Sequence, residues 1–214
     1  MRTISILAVL GGILGVVAAQ VSCYTTSCED TKTCPIPFSA DESDAQPPTS
    51  YMVSTLAGAG DAGAADGPGS SATFSNPIGI AIGPDGSLYV SDYFNDVIRK
   101  IAGDGMVSTY AGTGNPGVTN GDCATATFGG PIGIAVDAAG TVYVADDSYN
   151  LIRQITPATC QVSSLAGQGT ISSGNSDGTG SAAKFYFPEG LTLDASGNIY
   201  VADSWNNKFF AATC

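Results

Sequence analysis

Histidine is absent from this chain of 214 residues. That absence removes Ser-His-Asp and Cys-His catalytic triads and any metal centre that needs imidazole ligands. Basic residues are scarce, 7 Lys and Arg against 19 Asp and Glu, for a net charge of −12. An acidic surface repels a phosphate backbone, so no nucleic-acid partner is expected. Charged residues make up only 12% of the chain, about half the usual ~25%, which argues against a charge-rich disordered protein. Beyond the N-terminal segment, no stretch carries a 3.6-residue apolar period long enough for a helix. No Asn-x-Ser/Thr sequon occurs either, so N-glycosylation is not expected. Glycine, in contrast, is abundant: 28 of 214 residues, nearly twice the usual ~7%, which calls for many tight turns. An all-β, turn-rich protein is what remains.

Residues 1–19 carry Arg2, an apolar run from Ile4 to Val17, and small residues at Ala18 and Ala19. This is the pattern of a signal peptide cleaved before Gln20, and the run is shorter than the ~20 residues a spanning helix needs. The protein is therefore expected to be secreted, with no membrane span after cleavage. In an oxidising compartment its six cysteines, Cys23, Cys28, Cys34, Cys123, Cys160 and Cys214, are disulfide candidates. Their spacing does not pair them, and without histidine or a Cys-x-x-Cys pair a zinc site is the weaker reading. Residues 20–50, with Pro47-Pro48 near their end, read as a Cys-, Ser- and Pro-containing leader or linker.

From residue 51 the chain repeats itself. Val53-Ser54-Thr55-Leu56-Ala57-Gly58 returns as Val107–Gly112 and as Val162–Gly167. Phe74-x-x-Pro77 returns as Phe128-x-x-Pro131 and Phe185-x-x-Pro188. Leu88-Tyr89-Val90-Ser91-Asp92 returns as Val142–Asp146 and Ile199–Asp203. Each unit holds four short β-like runs joined by tight turns, such as Pro84-Asp85-Gly86 and Gly103-Asp104-Gly105. Four-stranded antiparallel units repeated in this way build a β-propeller.

The Pro-x-Gly-[Ile/Leu] run, the Tyr-Val-[Ala/Ser]-Asp run and the Ile-Arg-[Lys/Gln]-Ile strand resemble the NHL-repeat family of β-propellers over about residues 51–210. The resemblance implies architecture more than function, since such propellers serve as scaffolds, receptors, RNA binders and a few enzymes. Counting strands predicts an orphan outer strand near 52–57, full blades near 78–111 and 132–166, and a three-stranded blade near 189–210. A closed propeller needs about four blades or more. About three blades make an open or incomplete propeller. The sequence is accordingly expected to be a fragment of a longer protein, or else to self-associate.

The candidate site residues fall at repeated positions. Asp92, Asp146 and Asp203 end the second strand of each unit; a ring of carboxylates for a cation competes with a structural role, in which each accepts N–H groups of the following loop. The structural reading is preferred because the position repeats. Arg99 and Arg153 lie seven residues beyond their aspartates, on a cross-strand diagonal suited to a structural ion pair. Phe210 replaces arginine in the last unit. Tyr149 stands where the first unit has Asn95. The Phe–Pro positions read as packing between blades. Trp205, Phe209 and Phe210 are expected to meet a next blade or to be exposed. Gly58–Gly63 fits Gly-x-Gly-x-x-Gly, but no helix follows to hold a pyrophosphate, and the pattern recurs with the repeat. Asp61, Asp66, Asp122 and Asp177 lie in inter-blade loops without EF-hand spacing, which leaves room only for weak calcium binding.

No catalytic, metal or cofactor residue is assigned from the sequence. The expected function is that of a secreted, non-enzymatic binding or scaffold protein whose propeller loops hold a protein or carbohydrate partner. The alternative is part of a calcium-dependent propeller hydrolase or lactonase. That alternative needs inward carboxylates, and the inner strands offer only Glu189; its remaining catalytic residues would lie in missing blades.

Overall fold

The structure, a computed structural model, describes residues 52–172 and 174–212. The expected signal peptide, the leader over 20–50 and Cys23, Cys28, Cys34 and Cys214 lie outside the described residues.

Thirteen strands form three antiparallel sheets. The first blade comprises β1 (Gly67–Pro68), β2 (Pro77–Ile82), β3 (Leu88–Asp92), β4 (Val97–Ile101) and β5 (Met106–Ala111), in the order β1-β5-β4-β3-β2. The second repeats it with β6 (Gly121–Asp122), β7 (Pro131–Val136), β8 (Val142–Asp146), β9 (Leu151–Thr156) and β10 (Gln161–Gly167). The third has β11 (Pro188–Leu193), β12 (Ile199–Asp203) and β13 (Lys208–Ala212). Only single 3-10 turns interrupt the strands among the described residues, and none of their helices is long and apolar enough to cross a membrane. The two-residue strands β1 and β6, in segments read from the sequence as loops, add a short outermost edge to β5 and β10.

The expected orphan strand near 52–57 is not a strand. By repeat position it corresponds to β5, whose ladder partner is β4. No described strand lies where that partner would be, so 53–57 has no ladder to join. It is nonetheless held in place: the Gly58 and Ala59 amides donate to the Gly69 and Ala72 carbonyls, as the Gly112 and Thr113 amides after β5 donate to Cys123 and Ala126.

Blades stack through a size alternation written into the inner strands. Strand residues alternate faces, so Ile132 and Ile134 point toward the first blade while Gly133 and Ala135 point toward the third. A Cβ at Gly79 would run into the Ile132 carbonyl oxygen, and one at Gly133 into that of Glu189. Glycine there lets adjacent inner strands approach, and large residues of the following blade fill the room. One core cluster joins Ile98 and Ala111 of the first blade to Phe128, Val144 and Ile155 of the second. Another joins Ile152 to Phe185, Ile199 and Val201. Phe128 and Phe185 thus pack between blades, buried.

A disulfide links Cys123 and Cys160, with their Cα atoms 5.3 Å apart. The Cys123 amide also donates to the Cys160 carbonyl. The corresponding residues in the first blade are Gly69 and Gly105, which make the same backbone bond with no bridge.

Candidate functional site

Each blade turns at the end of its second strand, and Asp92, Asp146 and Asp203 sit there fully buried. In the first blade Asp92 Oδ1 accepts the Ser75 amide at 2.7 Å. Its Oδ2 accepts from Asn95 Nδ2 at 2.8 Å and Arg99 Nη1 at 3.0 Å. In the second, Asp146 accepts the Gly129 amide at 2.7 Å and Arg153 Nη1 at 3.0 Å. In the third, Asp203 accepts the Tyr186 amide at 2.7 Å and Asn206 Nδ2 at 2.6 Å. The amides come from the loop 17 residues upstream. This corrects the expected turn, in which the carboxylate would accept the following loop's amides. The 3-10 turn after each aspartate points its own N–H groups elsewhere, and no side-chain cap forms. The carboxylate instead clamps the loop that feeds the inner strand.

Arg99 and Arg153 complete the clamp from the third strand. Arg153 donates to the Thr127 and Thr119 carbonyls at 2.9 and 3.1 Å and to Asn120 Oδ1 at 2.9 Å. Arg99 does the same with Thr73, Ala65 and Asp66. Both guanidinium groups lie over the Phe74 or Phe128 ring at 5.1 Å, a cation–π contact made strong by burial. Burial raises the Asp146 carboxyl above its usual range, against the pull of Arg153 and the Gly129 amide. Where Phe210 replaces arginine, its ring meets Phe185 edge-on at 5.3 Å. Asp203 then relies on Asn206, the group that Tyr149 denies Asp146.

The loop aspartates are distributed differently from a cation cage. Asp66 is bound to Arg99 and Thr109, and Asp122 to Gln161. Among the described residues, no three of His, Cys, Asp and Glu converge as metal ligands. Among the buried carboxylates of the described residues, Asp147 stands apart, because its Oδ1 has no partner. Burial, then the Glu189 charge, pushes its carboxyl up to about 6.

The three 3-10 turns that follow Asp92, Asp146 and Asp203 lie at the same end of the blades, beside the starts of the inner strands. That end carries aromatic rings that sequence reasoning did not group. Tyr93 and Phe94 meet edge-on at 5.0 Å. Tyr186, Phe187 and Trp205 form a trio in mutual contact, with centroids 4.9–5.3 Å apart and planes tilted by 36–60°. Phe94 and Trp205 are exposed. The signal available was positional: in each repeat these residues fall within three of the clamp aspartate or just before the inner-strand proline.

These features define a three-bladed open segment of a β-propeller with structurally committed buried charges and an aromatic end face. The NHL repeat family model matches residues 128–151 and 185–210. The chain is 35% identical over 91 residues to Protein SUPPRESSOR OF QUENCHING 1, chloroplastic, of Arabidopsis thaliana, covering 42% of this chain and 9% of that protein. It is 30% identical over 139 residues to Teneurin-1 of Caenorhabditis elegans, covering 60% and 5%. Among solved structures it is similar to a Bacteroides thetaiotaomicron protein of unknown function, with a TM-score of 0.56 and 28% identity over 59% of this chain and 32% of that one. It also shares its fold with an auxiliary nutrient binding protein of Bacteroides ovatus, with a TM-score of 0.55 and 22% identity over 67% and 39%. The chain thus spans less than a tenth of these curated relatives and under two-fifths of these solved structures.

Proposed function

We propose that this protein is a secreted, non-enzymatic binding protein that engages a protein or carbohydrate partner through the turn end of its blades. The exposed aromatic end face carries this reading. Phe94 and the Tyr186–Phe187–Trp205 trio present rigid apolar surface on loops that the buried aspartate clamps hold still. Flat rings on the loop that leads to the exposed Glu189 suit a sugar, whose C–H faces stack while its hydroxyls bond a carboxylate. They suit an apolar peptide side chain equally. The strong buried charges support binding over catalysis, because Arg99, Arg153, Asp92 and Asp146 are all engaged within their own blades.

The test is a glycan and peptide array followed by calorimetry on the full chain. Saturable binding lost in Trp205→Ala and Phe94→Ala supports the reading. Calcium-dependent esterase or lactonase turnover that survives both substitutions would replace it with the hydrolase alternative.

A further inference from the structure

Only one asparagine of the chain is followed by glycine, Asn120 before Gly121. It stands where the other repeats carry Asp66-Gly67 and Asp177-Gly178. Every other asparagine precedes proline, which has no N–H, or a residue whose side chain crowds its amide. In the first blade Asp66 Oδ1 accepts from Arg99 Nη2 at 2.7 Å and from Thr109 Oγ1 at 3.2 Å. In the second, Asn120 Oδ1 accepts from Arg153 Nη2 at 2.9 Å and from Ser164 Oγ at 3.2 Å. A guanidinium only donates, so the amide is fixed with its oxygen toward Arg153 and its nitrogen turned away. Asn120 is exposed, and its Nδ2 has no partner among the described residues. Arg153 is thus paired with one carboxylate, Asp146, where Arg99 has two, Asp92 and Asp66.

Two donors on Oδ1 draw electrons from the Asn120 Cγ and stabilise an oxyanion formed there, so they prepare the side-chain amide for attack. The nucleophile at hand is the amide nitrogen of Gly121, which has no side chain to crowd its approach. Gly121 belongs to β6, a two-residue strand at the outer edge of its sheet. Only the pairing of Gly121 with Val162 and of Asp122 with Gln161 must part to free that nitrogen, a local opening that leaves β10 on β9.

We infer that Asn120 is a site of spontaneous deamidation, and that Arg153 captures the aspartate it becomes. The Gly121 nitrogen bonds to Asn120 Cγ, the Cγ–Nδ2 bond breaks, and ammonia leaves with the proton that Gly121 gives up. Water then opens the cyclic imide. Its hydroxyl adds at Cγ and its hydrogen returns to the Gly121 nitrogen, which restores the ordinary main chain with an aspartate at position 120. Addition at the main-chain carbonyl instead gives isoaspartate. The donors on Oδ1 direct water to Cγ by the same polarisation that favoured the first attack. The fold opposes the other product, because isoaspartate lengthens the main chain just ahead of the β6–β10 pairing, which the Cys123–Cys160 bridge holds in register. The product reproduces the first blade, where one guanidinium lies between two carboxylates.

Peptide mapping by mass spectrometry tests this, with electron-transfer fragmentation to separate aspartate from isoaspartate. The full chain is aged at neutral pH, once native and once reduced and unfolded in urea. The native chain should convert Asn120 ahead of every other asparagine and give mostly aspartate, whereas the unfolded chain should give mostly isoaspartate. Ser164 is exposed, so Ser164→Ala spares the fold while removing one donor. It should slow native conversion several-fold and raise the isoaspartate share, with no effect on the unfolded chain. Asn120→Asp should raise the urea midpoint at neutral pH, an advantage lost as acid protonates the new carboxylate. A native chain that keeps Asn120 intact while the unfolded chain converts overturns the inference. So does a native product that is mostly isoaspartate, or a native rate and product ratio indifferent to Ser164→Ala. An Asn120→Asp variant no more stable than the parent overturns the capture by Arg153.

Discussion

Asp146→Ala strands a guanidinium. Arg153 has no solvent exposure, and Asp146 is the carboxylate that neutralises it at 3.0 Å. Removing one partner of a buried ion pair costs about 3–5 kcal/mol, because the remaining charge has no compensation. For a domain whose whole stability is roughly 5–15 kcal/mol, that is a third or more. The third blade supplies the control. Asp203 is equally buried but has no arginine, so Asp203→Ala removes only the acceptors for the Tyr186 amide and Asn206. Asn206 keeps the Gly174 carbonyl as an acceptor, leaving one orphaned amide at a cost of about 1–3 kcal/mol. Adding Arg153→Met to Asp146→Ala should recover part of the loss, since the stranded charge goes and the methionine still packs on Phe128. Urea unfolding of these three variants and of Arg153→Met alone, followed by tryptophan fluorescence and circular dichroism, gives all four values. Asp146→Ala costing less than Asp203→Ala, or a double variant as unstable as the sum of its singles, would refute the argument that the pair acts as one neutral unit.

Asp147 gives the pH dependence. Its folded carboxyl is raised from 3.8 to about 6 by burial and then Glu189, so the folded state holds its proton more tightly than the unfolded state does. Stability from this group is present below about pH 4 and is lost as pH climbs through 6. Asp147→Asn should therefore raise the melting temperature at pH 8, by up to about 3 kcal/mol in stability, and leave it unchanged at pH 3.5. Thermal melts at the two pH values check the sign. The Cys123–Cys160 bridge closes a separation of 37 residues, and Cys123→Ser with Cys160→Ser should cost about 3–4 kcal/mol by loop entropy. The first blade makes the same backbone bond between Gly69 and Gly105 unbridged, so the double variant should stay folded, as its denaturation midpoint would report. Gly133→Ala drives a methyl into the Glu189 carbonyl and should cost at least about 1–3 kcal/mol, whereas Gly103→Ala meets open space and should lower the melting temperature little.

Repetition made the architecture legible. Three copies of one strand pattern, with the same turn glycines and the same Phe–Pro spacing, define antiparallel blades because local turn chemistry and period-two burial specify a meander without long-range information. The sequence also placed Asp92 with Arg99 and Asp146 with Arg153 on cross-strand diagonals, since that geometry is local to one hairpin. Tertiary structure alone decided the rest. The amides that the aspartates clamp lie 17 residues upstream, and no local rule reaches that far. Cys123 and Cys160 meet because a loop edge strand folds back onto a hairpin, a pairing that spacing leaves open. The orphan segment at 53–57 has the composition of a strand, but a strand exists only through a partner's hydrogen bonds, and no described strand supplies them. Gly190 and Gly133 read alike in sequence. Only the stacking of blades shows that one is pressed by a neighbouring strand's carbonyl, while the other meets only Ala202 of its own sheet.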